Sequence, residues 1–186
     1  MARIFQAAQG TRYELGICLA LMLGLREGEI VALSPKDYSK GILHVRHTMV
    51  LDDDGNKIIK STKTTAGDRK LPCPPHIRSL IEAVPTDQDR LCPMSAHALY
   101  KGFLTVCSHA GIDRHFRFHD LRHANASMLL AAGMPDKYAM ERMGHSTTNM
   151  LKTVYQHTIS EEQKRYNIAM EQKLSAIFGN EIGNEN

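Results

Sequence analysis

Four separated segments carry side chains whose type and spacing could do chemistry. The first is Gly24-Leu25-Arg26-Glu27-Gly28-Glu29. Arg26 follows an apolar run, where a charge is costly unless it is paired or holds a ligand. Taken alone, a helix-end arginine using the C-terminal dipole explains it as well. The second is Thr62-Lys63-Thr64, in the link between two predicted strands, where a lysine is ordinarily just solvated. The third is His119-Asp120-Leu121-Arg122-His123. His119 and Arg122 are three apart, so on a helix they share one face. An imidazole and a guanidinium on one face suit a phosphate better than a metal, because arginine offers a planar fork of donors. The fourth is Met143-Gly144-His145, followed ten residues after His145 by Tyr155, in Val154-Tyr155-Gln156-His157. Each of these alone also reads as a helix break and a packed tyrosine.

Metal chemistry has less support. His115, His119 and His123 have the i, i+4 spacing that can bind zinc. No His-Glu-x-x-His pattern accompanies them, and Arg117 and Arg122 would repel a cation. Cys18, Cys73, Cys92 and Cys107 are widely spaced with no Cys-x-x-Cys pair, which argues against a zinc ribbon or a redox pair. Free thiols in a reducing cytosol are expected. Neither a metal nor a cofactor is expected.

The elements that must position these side chains are mostly helical. An apolar helix is predicted over 12–23 and a short one from Gly28 to Leu33, stopped by Ser34-Pro35. The texture then alternates. Ile42 to Val50 reads as a strand, Asp52 to Asn56 as a turn, Lys57 to Ser61 as a second strand and Asp68 to Leu71 as a third. Together these predict one small three-stranded antiparallel sheet. Pro75 opens a helix reaching Ala83. Ser95 caps a helix to Ala110 with Gly111 as its stop, burying Leu99, Phe103, Val106, Cys107 and Ala110. Further helices are expected from His119 to Ala132, from Pro135 to Met143, after Ser146, and from Ser160 to Phe178 with a Ser160–Gln163 capping box. The fold class expected is α+β: mainly helical, with the sheet inserted early. The domain is expected to span 1–178, with a frayed tail over 179–186.

Bulk properties set wide bounds. The 186 residues fit one domain, and 42% hydrophobic residues suffice for a core. Twenty-three Lys and Arg against 20 Asp and Glu give a net charge of +3, a mild bias that permits a nucleic-acid partner. The run from Leu15 to Leu25 is broken by Gly16 and Gly24 and falls short of the ~20 apolar residues of a membrane span. No clean signal-cleavage site follows it. A soluble, cytoplasmic protein is expected.

The order Arg, Lys, His-x-x-Arg, Gly-His, Tyr resembles the catalytic signature of the lambda-integrase-like tyrosine recombinases. Leu25-Arg26-Glu27-Gly28-Glu29 resembles the first arginine box of that family. Lys63-Thr64 with Asp68-Arg69-Lys70-Leu71-Pro72 resembles the segment around its β-hairpin lysine. His119-Asp120-Leu121-Arg122-His123 resembles the second box, and Met143-Gly144-His145-Ser146 the third. Each motif is weak and the set is specific; it runs from about Leu15 to His157. Met143 replaces a usual leucine, and Ala124-Asn125 a usual threonine and bulkier residue. Members of the family usually carry an N-terminal core-binding domain, whereas Met1 falls just before the first catalytic helix, so the chain resembles a catalytic half.

The resemblance implies strand cleavage by transesterification. Tyr155 would attack a phosphodiester in line, giving a 3′-phosphotyrosine and a free 5′-hydroxyl. Arg26 and Arg122 would clamp the nonbridging oxygens, where charge grows in the transition state. His119 would accept the tyrosine proton and Lys63 would donate one to the leaving 5′-oxygen. His145 would hydrogen-bond a phosphate oxygen, and Glu29 would orient Arg26 or a catalytic histidine. No metal or nucleotide is required, because the covalent bond stores the energy for rejoining. The expected partner is double-stranded DNA at attachment sites of a phage or other mobile element, with the protein assembling as a tetramer on it. Among other basic residues, Arg46, Lys60, Arg69, Lys101 and Arg117 are candidates for phosphate contacts, beside Lys36 and Arg114. The stripe Tyr166, Met170, Leu174 and Ile177 either covers this domain's core or docks on a neighbouring protomer. Two alternatives stay open: a non-catalytic DNA-binding relic, and a type IB topoisomerase-like relaxing enzyme. A zinc hydrolase using the histidines is a more distant third.

Overall fold

The computed structural model describes residues 1–61, 67–112 and 116–144. The chain divides into two units, Met1–Thr148 and Asn149–Asn186. The described residues all belong to the first unit.

The central element is α2 (Glu14–Leu23), with every residue from Glu14 to Leu21 buried, and Leu23 with them. A helix apolar on all faces belongs inside a domain, and this one is surrounded by others. α1 (Ala2–Ala8) precedes it and turns Ile4 and Ala8 inward. α3 (Glu27–Ala32) follows after a break at Gly24. Gly24 adopts φ 70°, and its N–H reaches the Ala20 carbonyl while that of Leu25 reaches Leu19. This left-handed stop turns the chain sharply. A side chain here is also excluded by space, since a Cβ would lie 2.5 Å from the Met143 sulfur.

Ser34 begins a short 3₁₀ turn, Pro35–Asp37, and both its N–H and its hydroxyl donate to Asp37. The chain then makes β1 (Tyr38–Ser39), β2 (Ile42–Val45), β3 (His47–Leu51), β4 (Lys57–Ser61) and β5 (Arg69–Pro72). The single strand expected over 42–50 is thus two, parted at Arg46. The guanidinium of Arg46 turns back to Asp37, its Nε 3.0 Å from Oδ1. The membership of the sheet changes with this break. β1, β2 and β5 form the three-stranded antiparallel sheet, and β3 with β4 forms a separate hairpin. Leu43 faces Leu71 across the sheet, and Val45 faces Arg69. The hairpin closes on the predicted turn, where Asp52 Oδ1 accepts from the N–H of Asp54 and of Asn56. Its base lies against α3 at Gly28, where a Cβ would come within 2.7 Å of the Met49 carbonyl.

The remaining helices are α4 (Pro75–Glu82), α5 (Ala96–His109), α6 (Phe118–Ala131) and α7 (Asp136–Met143). Ser95 caps α5 as expected, accepting from the Ala98 N–H at 3.1 Å. Leu99, Phe103, Val106 and Cys107 form its buried stripe; the fifth buried position is Gly102, packed on Tyr13, rather than Ala110. α6 lies along α2, and the buried Asn125 amide donates to the Leu21 carbonyl at 2.9 Å. All four cysteines are free and buried. Among the described residues no helix is long and apolar enough to cross a membrane. The helices expected after Ser146 and over Ser160–Phe178 lie outside the described residues.

Candidate active site

The last turn of α7 collects the site. The final carbonyls of any helix lack partners within it, and the dipole makes that end attractive to cations. Here three successive carbonyls each receive a guanidinium from a different element. Arg69 Nε, from β5, donates to the Arg142 carbonyl at 2.9 Å. Arg122 Nη2, from α6, donates to the Met143 carbonyl. Arg26 Nη2, at the start of α3, donates to the Gly144 carbonyl at 3.2 Å. Three like charges this close need a counterion, and Glu29 supplies it.

Glu29 lies in the first turn of α3 and is 1% exposed. Its carboxylate accepts the Arg26 backbone N–H at 2.9 Å, closing that turn. It also accepts Arg26 Nη1 at 2.8 Å, and Arg69 Nη1 and Nη2 at 3.1 and 2.9 Å. Burial by itself would raise the Glu29 pKa; the hydrogen bonds and charges of Arg69 and then Arg26 prevail, and the net shift is downward. The carboxylate is therefore ionised and holds two guanidinium groups in fixed planes.

Among the described residues Arg122 is the largest fully buried side chain, 1% exposed. Nη1 donates to the Gly24 carbonyl, so one residue spans the ends of α2 and α7. Its Nε is buried with no hydrogen-bond partner among the described residues. Burial first, then the Arg26 charge, pulls its pKa down to about 9, with Glu29 opposing. It remains a cation at neutral pH. The Arg26 side chain is 39% exposed, so part of its donor fork stays open to solvent.

His119 opens α6 at the protein surface, its ring 4.8 Å from that of His123 and edge-on to it. Its pKa is lowered, by burial first and then by the charges of His123, Arg122 and Arg26. The imidazole is therefore neutral at pH 7 and able to accept a proton. That the two arginines act on it places all three in one electrostatic neighbourhood. Chemically, such an arrangement can hold an anion beside a group able to take a proton. Lys63, His145 and Tyr155 lie outside the described residues.

The candidate phosphate contacts separate into two kinds. Lys60 and Lys101 are exposed, on β4 and α5. Arg117 is exposed too, but its N–H and guanidinium both reach Asp120 at the start of α6. Arg46 is held by Asp37. Arg69 is a correction to the expected surface contact: it is 8% exposed and donates to Glu29, Gly67 and Arg142. It organises other arginines instead of meeting solvent. The sequence does carry a signal for this. Strand alternation puts Arg69 on the face of Leu71, which is buried, and opposite Lys70, which is exposed.

Comparison with known proteins accords with this geometry. Residues 1–162 match the model of the phage integrase family. The chain is 25% identical over 197 residues to a XerC-like tyrosine recombinase of Caldanaerobacter subterraneus subsp. tengcongensis, covering 87% of this chain and 49% of that one. It is 29% identical over 154 residues to the integrase of Mycobacterium phage L5, covering 74% of this chain and 42% of that protein. Among solved structures, the fold is similar to the Tn1549 transposon integrase in complex with transposon right end DNA. The TM-score is 0.70 at 22% identity, over 87% of this chain and 62% of that one. A lambda integrase dimer bound to a COC′ core site gives a TM-score of 0.56 at 21% identity, over 82% of this chain and 56% of the other. The chain thus spans about half the length of the relatives it matches. With the family model matching most of its residues, the chain belongs to the phage integrase family.

Proposed function

We propose that this chain is the catalytic part of a site-specific DNA recombinase, cleaving and rejoining strands through a 3′-phosphotyrosine at Tyr155. The observation that carries the reading is the convergence of Arg26 and Arg122 on the end of α7, with neutral His119 beside them. A phosphodiester entering there meets donors already fixed in place, and such electrostatic stabilisation usually contributes most to phosphoryl transfer. Arg26 and Arg122 bind the nonbridging oxygens, and His119 takes the Tyr155 proton. His145, directly after Gly144, adds a hydrogen bond to the phosphate. Lys63 protonates the departing 5′-oxygen. The catalytic domain runs over 1–178, so that Tyr155 belongs to it, and 179–186 is a tail. Its partner is double-stranded DNA at the attachment sites of a phage or mobile element, where four protomers assemble. Lys60 and Lys101 contact backbone phosphates there. The setting is the bacterial cytoplasm.

The test is a nicked duplex bearing the junction sequence of the element that encodes the chain, resolved on a denaturing gel. The parent protein is expected to give a covalent protein–DNA band and Tyr155→Phe none. A band of equal strength from Tyr155→Phe would overturn the assignment of the nucleophile. Binding of the duplex with no covalent product, even when a core-binding domain is supplied, would leave the non-catalytic relic as the better reading. Relaxation of any supercoiled plasmid, regardless of sequence, would favour the topoisomerase-like one.

A further inference from the structure

Away from the arginine cluster, three side chains of different chemistry face one another at the start of α2. Glu14 and Cys18 are one helical turn apart on α2, and His76 comes from α4. One ligand atom from each of the three lies within 4.8 Å of the other two. Glu14 and Cys18 are buried. Glu14 Oε2 is used, accepting the Gly10 N–H at 2.7 Å, while Oε1 faces the imidazole.

The His76–Glu14 contact is unusual. Nε2 lies 3.1 Å from Oε1, yet Nε2 is buried and makes no hydrogen bond with it or with any other described atom. Proximity without directionality means that the two atoms are not aimed at each other. A buried polar nitrogen left in this way has given up its hydrogen bonds to water without replacement, so something should meet it. Cys18, at the same spot, is a fully buried free thiol.

We propose that Glu14, Cys18 and His76 form a zinc site. Carboxylate oxygen, thiolate sulfur and imidazole nitrogen are the three ligand types zinc takes, at about 2.0–2.3 Å. Those bond lengths put tetrahedral ligand atoms roughly 3.3–3.8 Å apart, close to the 3.1 Å between Nε2 and Oε1. The charges balance as well. A thiolate and a carboxylate cancel the dication, and the imidazole is neutral, so the bound site suits a buried position. The Cys18 proton leaves as the metal binds. Three protein ligands leave the fourth place to water, on the side where the His76 side chain is 35% exposed. The ring of Phe5, from α1, packs edge-on against His76 with centroids 5.1 Å apart and fixes its plane. The metal would clip α4 to α2, the helix whose other end presents the Gly24 carbonyl to Arg122. Ligand spacing in the sequence gives no sign of this site, because its residues come from two helices far apart in the chain.

The experiment is titration of the metal-free protein with Co²⁺ and then Zn²⁺, each metal alone. One equivalent of Co²⁺ should give tetrahedral visible bands and a near-ultraviolet thiolate-to-cobalt band, both removed by Zn²⁺. Cys18→Ser should lose the thiolate band. His76→Gln should weaken Zn²⁺ binding by more than the ~10–100-fold that loss of an outer hydrogen bond causes. Zn²⁺ should raise the melting temperature of the parent and not that of the double variant Cys18→Ser/His76→Gln. Circular dichroism of the metal-free forms checks that the variants fold. A thiolate band that survives Cys18→Ser overturns the proposal, because another cysteine is then the ligand. So does a folded double variant that takes up Zn²⁺ as the parent does, or a parent that shows no tetrahedral spectrum.

Discussion

The end of α7 and the β3–β4 hairpin are opposite solutions to holding charge. At α7, Arg26, Arg69 and Arg122 take three successive backbone carbonyls, Glu29 pairs with the first two, and two of the three guanidinium groups are buried. On the hairpin, Lys57 and Lys60 stand in water, Leu51 and Ile59 are 66% and 44% exposed, and β3 lies against α3 at Thr48 and Met49. The first arrangement fixes donors before a substrate arrives, so no reorganisation is needed at the moment of reaction. The second packs one strand, β3, on α3 through Met49 and leaves β4 largely exposed, so its outer strand is held mainly by the ladder and turn. An element of that kind can adjust to a duplex backbone.

Substitutions should separate the two regions sharply. The largest effect is expected at Arg122. Arg122→Lys keeps the charge but loses the fork, and strand cleavage should fall roughly 10²–10³-fold, as for loss of one preorganised donor. Quantifying covalent product against time checks it. Arg69→Met should come next, with its cost in stability: removing one partner of a buried pair typically costs about 3–5 kcal/mol. Urea unfolding measures this, and the same experiment on Lys60→Ala should show a change within about 0.5 kcal/mol. If the two variants unfold alike, the contrast between the regions fails.

A pH series sharpens the comparison at smaller amplitude. The Glu29 pKa is lower in the folded chain than its ordinary value of 4.5. Its stabilising contribution is therefore complete above about pH 4.5 and is lost as pH falls through the lower folded value. Glu29→Gln should flatten that acid limb of stability, read as the urea midpoint against pH. His119 is likewise lowered, from 6.5, so cleavage limited by its neutral form should hold above pH 6.5 and fail in more acid solution. The smallest effects belong to the surface. Lys60→Ala and Lys101→Ala should each reduce the slope of log affinity for DNA against log salt by about 1, with no change in cleavage of bound substrate.

Much of this is legible in the chain, and the parts that are not share a cause. Ser95, Gly111, Pro135 and the Asp52–Asn56 turn mark their elements because caps and turns are local. The three boxes are readable as words, and they meet: Arg26 of the first and Arg122 of the second donate to the Gly144 and Met143 carbonyls of the third. α1 leaves no such mark. It has no capping side chain and only Ile4 and Ala8 buried, too few positions for a periodic signal. The strand break at Arg46 is hidden because it depends on Asp37, which is itself set by Ser34. The alternation of β5 turns Arg69 inward with Leu71, but the partner that makes its burial tolerable, Glu29, lies forty residues away in the chain. Partners at that distance are a product of the fold, and no window of sequence contains them. Asn125 is the same case on a smaller scale, satisfied by the Leu21 carbonyl of α2.

The claim at the centre is that the guanidinium groups act on the negative charge of a bound phosphodiester. Replacing the scissile phosphate with a neutral methylphosphonate tests it most directly. Arg26 is the residue to pair with it, since its partly exposed side chain is less tied into the fold than Arg122. Arg26→Ala should be severely slowed on the ordinary phosphate and recover much of the lost rate on the methylphosphonate, where there is less charge to neutralise. Equal impairment on both substrates, with the variant folded and DNA-bound, would contradict the role given to Arg26 and with it the reading of the α7 end as a phosphate clamp.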